Sequence, residues 1–297
     1  MKKFIEKLLG KKKVNQSTIE TAPLSEEQLG SVSERLVHYK PTQLLVGSAQ
    51  SVGKQRDHNE DTLLAVNAVL SDGSTEITFG VFIVADGMGG HQNGEIASGK
   101  AARVMADYLL SKLYPTLLGL RFDDDNDSLQ EIMEAGVNRA QQAVLSKAPG
   151  GGTTLTAALV IGDQVTISQV GDSRVYFLYP DGRIQVMTHD HSLVRRLVEL
   201  GQISEKEASS HPQRNVLYRA VGQSEPFRPD INTHVLPNPG YMLLCSDGLW
   251  GVVPEIEMLR VVKAAANPTE ACHQLVELAN SAGGPDNISV VLVQRLD

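Results

Sequence analysis

Three aspartates constrain this chain most. Asp86 and Asp247 close strand-like apolar runs and are each followed by glycine, while Asp286 stands just before the run 288–295. A carboxylate at the end of a buried strand is costly unless its charge is compensated. Three of them at strand ends imply carboxylates converging on one edge of a sheet, where hard cations would compensate them. The pattern points to a metal-dependent enzyme.

Bulk properties narrow the class. The chain has 297 residues, 41% hydrophobic and 21% charged, so a sizeable core is available and wholesale disorder is excluded. A net charge of −8 argues against general nucleic-acid binding, which leaves a basic footprint. Only Cys245 and Cys272 occur, both in apolar or helical patterns, so they read as core thiols rather than a disulfide scaffold or zinc site. No stretch approaches the ~18–20 apolar residues that span a bilayer. The charged start, Met1 to Gly10, has too short an apolar core for a secretory signal, and a cytoplasmic location is expected.

Residues 1–45 stand apart as a basic, flexible tail. Six lysines against Glu6 give its first thirteen residues a local charge of +5. A solvated tail is the expectation; a weak contact with an anionic membrane through Phe4, Ile5, Leu8 and Leu9 is the alternative. Residues 46–297 contain no linker and read as one catalytic domain. Strand-like runs cover 62–69, 77–85, 153–161, 164–170, 174–179, 183–188, 232–236, 241–245 and 288–295. Turn dipeptides at Gly162-Asp163, Asp172-Ser173 and Asp181-Gly182 make the middle four look like an antiparallel meander. Helical periodicity fits 94–113, 127–147, 190–200, 254–265 and 268–281. Two helices follow the second strand and two precede the last, which favours antiparallel sheets covered by helices over a βαβ alternation. The stretch 190–222 reads as an excursion long enough to form a flap.

Upstream of the first aspartate-bearing run, and in front of another strand, Arg56-Asp57-His58-Asn59-Glu60-Asp61 sets one cation beside three acidic side chains. It is either a self-compensating hairpin rim or a phosphate-gripping arginine beside metal-organising acids. Six motifs then occur in order: Arg56-x-x-Asn59-Glu60-Asp61, Asp86-Gly-Met-Gly-Gly-His91, Gly152-Thr153-Thr154, Gly171-Asp172-Ser173-Arg174, Ser246-Asp247-Gly248 and Asp286-Asn287. Together they resemble the protein phosphatase 2C family of metal-dependent serine/threonine phosphatases, in its bacterial form, over residues 46–297.

The resemblance implies an α+β fold, a four-layer α-β-β-α sandwich of two antiparallel sheets flanked by helices. It implies two Mg²⁺ or Mn²⁺ ions, with a possible third, and direct attack on phosphoserine or phosphothreonine by a hydroxide that bridges the ions. On matching positions, Asp86 should bridge the two ions and the Gly87 carbonyl should ligate one. Asp247 and Asp286 should complete the other, and Asp61 and Asn287 should hold ion-bound water. Asp172 with Asp247 resembles the pair for a third ion, and Arg56 should grip the phosphate. An all-oxygen donor set suits Mg²⁺ or Mn²⁺. Where many eukaryotic members carry histidine directly after Asp-Gly, this chain has Met88, and His91 comes three residues later. The proton for the leaving alkoxide comes from His91 or from an ion-held water.

The dull readings also stand. His58, His189 and His191 read as structural or rim residues, Trp250 as packing under the Asp247 turn, and Arg174 as tying down the Asp172 turn. Arg195, Arg196 and Arg214 read as solvated helix charges. Expected substrates are phosphorylated proteins, including serine/threonine kinases and their targets, acted on by a monomer with no nucleic-acid partner. The alternatives are a pseudophosphatase binding module and a narrow phosphatase for a sigma-factor regulator.

Overall fold

The computed structural model of the chain describes residues 41–71, 76–89, 92–120, 127–223 and 227–296. Most of the basic tail, and His91, lie outside them. One five-stranded sheet runs in the order β1 (Gln43–Ser51), β12 (Ile288–Leu296), β11 (Tyr241–Cys245), β8 (Arg174–Leu178), β9 (Ile184–Val186). The other runs β10 (Asp230–Val235), β7 (Gln164–Val170), β6 (Leu155–Ile161), β3 (Glu76–Ala85), β2 (Thr62–Ser71). Every pairing is antiparallel, and a two-residue pair, β4 (Gly87–Met88) with β5 (Gly152–Thr153), sits beside them.

The central strands are continuously apolar because both of their faces are buried. In β3, Val81, Ile83 and Ala85 join the cluster under the helices, whereas Phe82 and Val84 point into the space between the sheets. In β12, Ile288, Val290 and Leu292 face outward to helices, and Val291 and Val293 face inward. Period-two alternation thus builds three apolar layers from the same strands.

Helices α1 (Gln92–Leu117) and α2 (Leu129–Lys147) cover one sheet. Their buried residues include Ala97, Ala101, Met105, Leu109 and Leu113, a helical stripe facing β3 and β6. Helix α2 starts at a Ser128–Glu131 capping box. Two short helices, α3 (Leu193–Glu199) and α4 (Glu205–Ser209), lie in the 190–222 stretch, and α5 (Asp247–Trp250) is a single turn. Helices α6 (Glu255–Ala264) and α7 (Pro268–Ser281) cover the other sheet. Asn267 caps α7 and Pro268 fills its first turn, where a missing N–H costs nothing. The result is the expected four-layer α-β-β-α arrangement.

Two expectations are corrected. The middle strands are not one meander: β6 and β7 pair in one sheet, β8 and β9 in the other, and the chain crosses between sheets at Gly171–Asp172. Gly171 has φ of +103°, and a Cβ there would lie 2.5 Å from the Thr154 side chain, so only glycine makes the crossing. The boundary drawn after residue 45 falls inside β1, whose polar, edge-type sequence hides its pairing with β12 along all nine residues. Among the described residues no helix is long and apolar enough to cross a membrane.

Candidate metal centre

The fold brings Asp61, Asp86, Asp172, Asp247 and Asp286 to one end of the sandwich, with Arg56 at the rim. Asp86 follows β3 directly. Its N–H donates to Thr154 Oγ1 at 2.8 Å, and its carbonyl accepts from the Thr154 N–H at 2.8 Å and from Thr153 Oγ1 at 2.9 Å. The peptide is therefore clamped on both sides, which fixes where the carboxylate leaves the backbone. Gly87 pairs with Thr153, and a Cβ on it would run into the carbonyl oxygens of Gly94 and Glu60. Close backbone approach, not turn geometry, requires glycine here.

Asp61 is 8% exposed. Its Oδ2 accepts from Ser246 Oγ at 2.9 Å and Ser289 Oγ at 2.7 Å. Among the described residues its Oδ1 has no hydrogen-bond partner, and neither has Asp247 Oδ1. Two buried carboxylate oxygens without partners are unusual in a folded protein. Asp247 begins α5 after the N-cap residue Ser246. The Ser289 N–H donates to Ser246 Oγ at 3.0 Å, so the two serines that hold Asp61 are tied to each other, and one of them directly precedes Asp247. Asp286 accepts from Arg56 Nη2 at 2.8 Å and from the Asn287 N–H at 2.9 Å.

The electrostatics follow from this crowding. Burial pushes the Asp86 and Asp172 carboxyls well above the ordinary carboxylate range, and the neighbouring acids push further. Burial likewise raises Asp61 to about 7, against the pull of its two serine hydrogen bonds. Asp247 rises to about 6 through burial and then through Asp286. Such a cluster is unfavourable by itself and favourable around divalent cations. The donor set is all oxygen, and two buried oxygens lack partners among the described residues. Residues present here fit Mg²⁺ or Mn²⁺.

Other expected residues are placed as follows. Arg56 has a half-exposed side chain, ion-paired with Asp286 at the mouth of the site. Asn287 differs from expectation: its two amide protons go to the carbonyls of Val52 at 2.8 Å and His58 at 3.0 Å, and its Oδ1 accepts from the Glu60 N–H. It braces the 52–60 loop instead of aiming its amide at a water. Arg174 forms a two-pronged pair with Asp190, at 3.0 and 2.6 Å, and stacks 3.7 Å over Trp250, whose Nε1–H donates to the Asp172 carbonyl. Both residues serve the Asp172 turn. The expected proton donor His91 lies outside the described residues.

A cavity of about 350 Å³ opens over the acids, with Arg56, Asp172, Asp247 and Asp286 on one wall and Val194 and Arg214 of the 190–222 stretch on the other. Sequence reasoning missed the supports: Ser246, Ser289 and the hydrogen-bonding work of Thr153 and Thr154. Three of these four stand inside the quoted motifs, where a polar residue adjoining an apolar strand was the available signal.

Comparison with known proteins agrees with this geometry. Residues 46–288 match the family model described as Protein phosphatase 2C. The chain is 38% identical over 252 residues to the serine/threonine phosphatase stp of Listeria innocua, covering 82% of this chain and 92% of that one. Its fold superposes on a serine/threonine phosphatase of S. agalactiae with a TM-score of 0.70 at 29% identity, covering 84% of this chain and 99% of that one. A catalytic domain of the serine threonine protein phosphatase PstP, solved with 2 manganese ions, gives a TM-score of 0.69 at 29% identity over 86% of this chain and all of that one.

Proposed function

The chain belongs to the protein phosphatase 2C family of metal-dependent serine/threonine phosphatases, and on that premise we propose how its own residues divide the work. Its substrates are phosphoproteins. Asp86, the Gly87 carbonyl, Asp247 and Asp286 would hold two divalent ions, Mg²⁺ or Mn²⁺, and Asp172 with Asp247 a third. Bound there, the ions supply Lewis acidity toward water and toward the phosphoryl oxygens.

The remaining roles fall to the protein. Thr153 and Thr154 fix the Asp86 peptide, so its carboxylate needs little reorganisation during turnover. Ser246 and Ser289 occupy one oxygen of Asp61 and leave the other without a partner among the described residues, where it would hold ion-bound water. Arg56 presents a planar fork at the cavity mouth, and phosphoryl oxygens would compete with Asp286 for it. His91 is the side chain proposed to protonate the leaving alkoxide. The 190–222 stretch would act as the flap that contacts the protein part of the substrate. We place the enzyme in the cytoplasm as a monomer acting on serine/threonine kinases and their targets.

The observation carrying this reading is the pair of carboxylate oxygens, on Asp61 and Asp247, that have no partner among the described residues. Phosphate release from a phosphothreonine peptide with Mn²⁺ tests it, with a phosphotyrosine peptide as comparison. Release should vanish with excess EDTA and fall steeply in Asp247→Asn; full activity under either condition contradicts the mechanism.

A further inference from the structure

His191 is fully buried, yet the residues assigned above make no use of it. Its backbone N–H donates to the Gly171 carbonyl at 3.0 Å, and the Gly171 N–H donates to His191 Nδ1 at 3.0 Å. Both polar groups of the glycine preceding Asp172 thus meet one residue, and the carbonyl also accepts from Gln169 Nε2 at 3.2 Å. Gly171 has φ of +103°, and a Cβ there would meet the Thr154 side chain, so the turn needs glycine, and a residue this permissive takes its fixed position from its partners. On the opposite side of the ring, Nε2 lies 3.1 Å from Asp230 Oδ2 and 3.0 Å from Arg219 Nη1, and Arg219 Nη1 reaches Asp230 Oδ1 at 2.8 Å. The His191 carbonyl accepts the Tyr218 N–H at 2.9 Å, and two residues on, Leu193 N–H donates to the Val216 carbonyl at 2.8 Å. His191 therefore joins three things: the turn between the sheets, the two limbs of the 190–222 stretch, and β10.

The chemistry of the ring is settled by these partners. Accepting the Gly171 N–H requires a bare Nδ1, so in the neutral ring the proton sits on Nε2 and goes to Asp230, and the adjacent Arg219 Nη1 donates to Asp230 rather than to the ring. Burial holds the imidazole below its usual range, which keeps Nδ1 available. Burial alone would raise Asp230, but the hydrogen bonds from His191 and Arg219 outweigh it and keep that carboxylate charged.

We propose that His191 is a positioning residue that locks the Gly171–Asp172 turn to the roots of the flap and so sets the Asp172 carboxylate toward its ion. Asp86 has its clamp in Thr153 and Thr154; the Asp172 turn is held by Trp250 and Gln169 at its carbonyls, and the histidine adds the acceptor for its Gly171 N–H and the tie to the flap. Engagement of the flap by a protein substrate would then be felt at Asp172 before it is felt at Asp86. The proposal rests on Asp172 being an ion ligand.

A double-mutant cycle with Mn²⁺ calorimetry and phosphopeptide kinetics tests it. Asp172→Ala should lose the weakest ion. His191→Leu should weaken that same ion and lower kcat by roughly 10–100-fold, the range for groups that orient a ligand, with KM for a short phosphopeptide nearly unchanged. His191→Asn should recover most of both, because its Oδ1 stands where Nδ1 stood. Adding His191→Leu to Asp172→Ala should cost nothing more. If the leucine variant does not fold, His191→Gln takes its place, since its amide reaches toward Asp230 while leaving the Gly171 N–H without an acceptor. Full ion binding and rate in Asp172→Ala would remove the ion reading and the proposal with it. A loss in Asp172→Ala with simply additive effects, or no recovery in His191→Asn, would overturn the positioning role alone.

Discussion

Residues 81–85 of β3, which lead to Asp86, are fully buried, whereas α3 and α4 of the facing flap bury one side chain each, Val194 and Ala208. The sheet edge is held by two apolar faces and a continuous ladder. The flap is held at its roots, by His191, by the Thr153–Val221 bridge and by Gln141, whose amide accepts from Gly222 and donates to the Gln223 carbonyl, both at 2.6 Å. Between the roots it relies on exposed ion pairs such as Arg195–Glu205, which are worth little. Charged ligands that must stay within a few tenths of an ångström sit on the rigid part. The surface that must accept differing proteins sits on the part that can open locally.

This contrast can be broken at either end. The largest effect should come from Asp86→Asn, which leaves the backbone clamp intact and removes a charge from the ion site: kcat/KM should fall about 10³-fold or more in steady-state assays. Next, Thr154→Val keeps the shape but strips the acceptor of the Asp86 N–H and the partner of Ser173 Oγ, 2.8 Å away. A buried donor left unpaired should cost about 1–3 kcal/mol in urea unfolding, with kcat lowered as well. Failure of both to change would mean the edge is not preorganised.

The metal-free protein should show the cost of the cluster directly. A carboxyl whose pKa is raised on folding keeps its proton longer in the folded chain than in the unfolded one. Between about 4, the ordinary value, and about 7, the raised value at Asp61, folding takes up protons, so stability drops as pH rises through that window. Asp247→Asn should flatten the slope and, without metal at pH 7, should be more stable than wild type by on the order of 1–2 kcal/mol. Denaturant titrations at pH 5 and pH 7 in EDTA measure it, and Mn²⁺ should stabilise the wild type more. The smallest effect is on the flap: Glu205→Gln should change stability by less than about 1 kcal/mol, while hydrogen exchange in 193–209 stays faster than in β3.

The same contrast explains what could be read from sequence. Strands buried on two faces announce themselves as unbroken apolar runs, so β3, β6, β11 and β12 were legible to within a residue or two. Helices α2 and α7 carry their own caps in Ser128 and Asn267 and were equally plain. Strand β1 was missed because only one face of an edge strand needs apolar residues, and Gly47 and the polar Gln43, Ser48 and Gln50 interrupt the pattern. Helix α5 was missed because four residues are too few for periodicity. The sheet-to-sheet crossing at Gly171 was missed because a hairpin and a crossing share the same Gly-Asp chemistry, and only the distant Thr154 tells them apart. At the site, the acids could be picked from type and position. Their supports could not, because Ser289 and His191 act through contacts that bring residues far apart in the chain together.

One measurement bears on the central claim most directly: anomalous diffraction from crystals grown with Mn²⁺. Peaks are predicted at the end of the sandwich: two within bonding distance of the Asp86 carboxylate, one beside the Gly87 carbonyl and the other beside Asp247 and Asp286, and a weaker third beside Asp172 and Asp247. Peaks away from these residues, or none at an Mn²⁺ concentration that supports full activity, would contradict it.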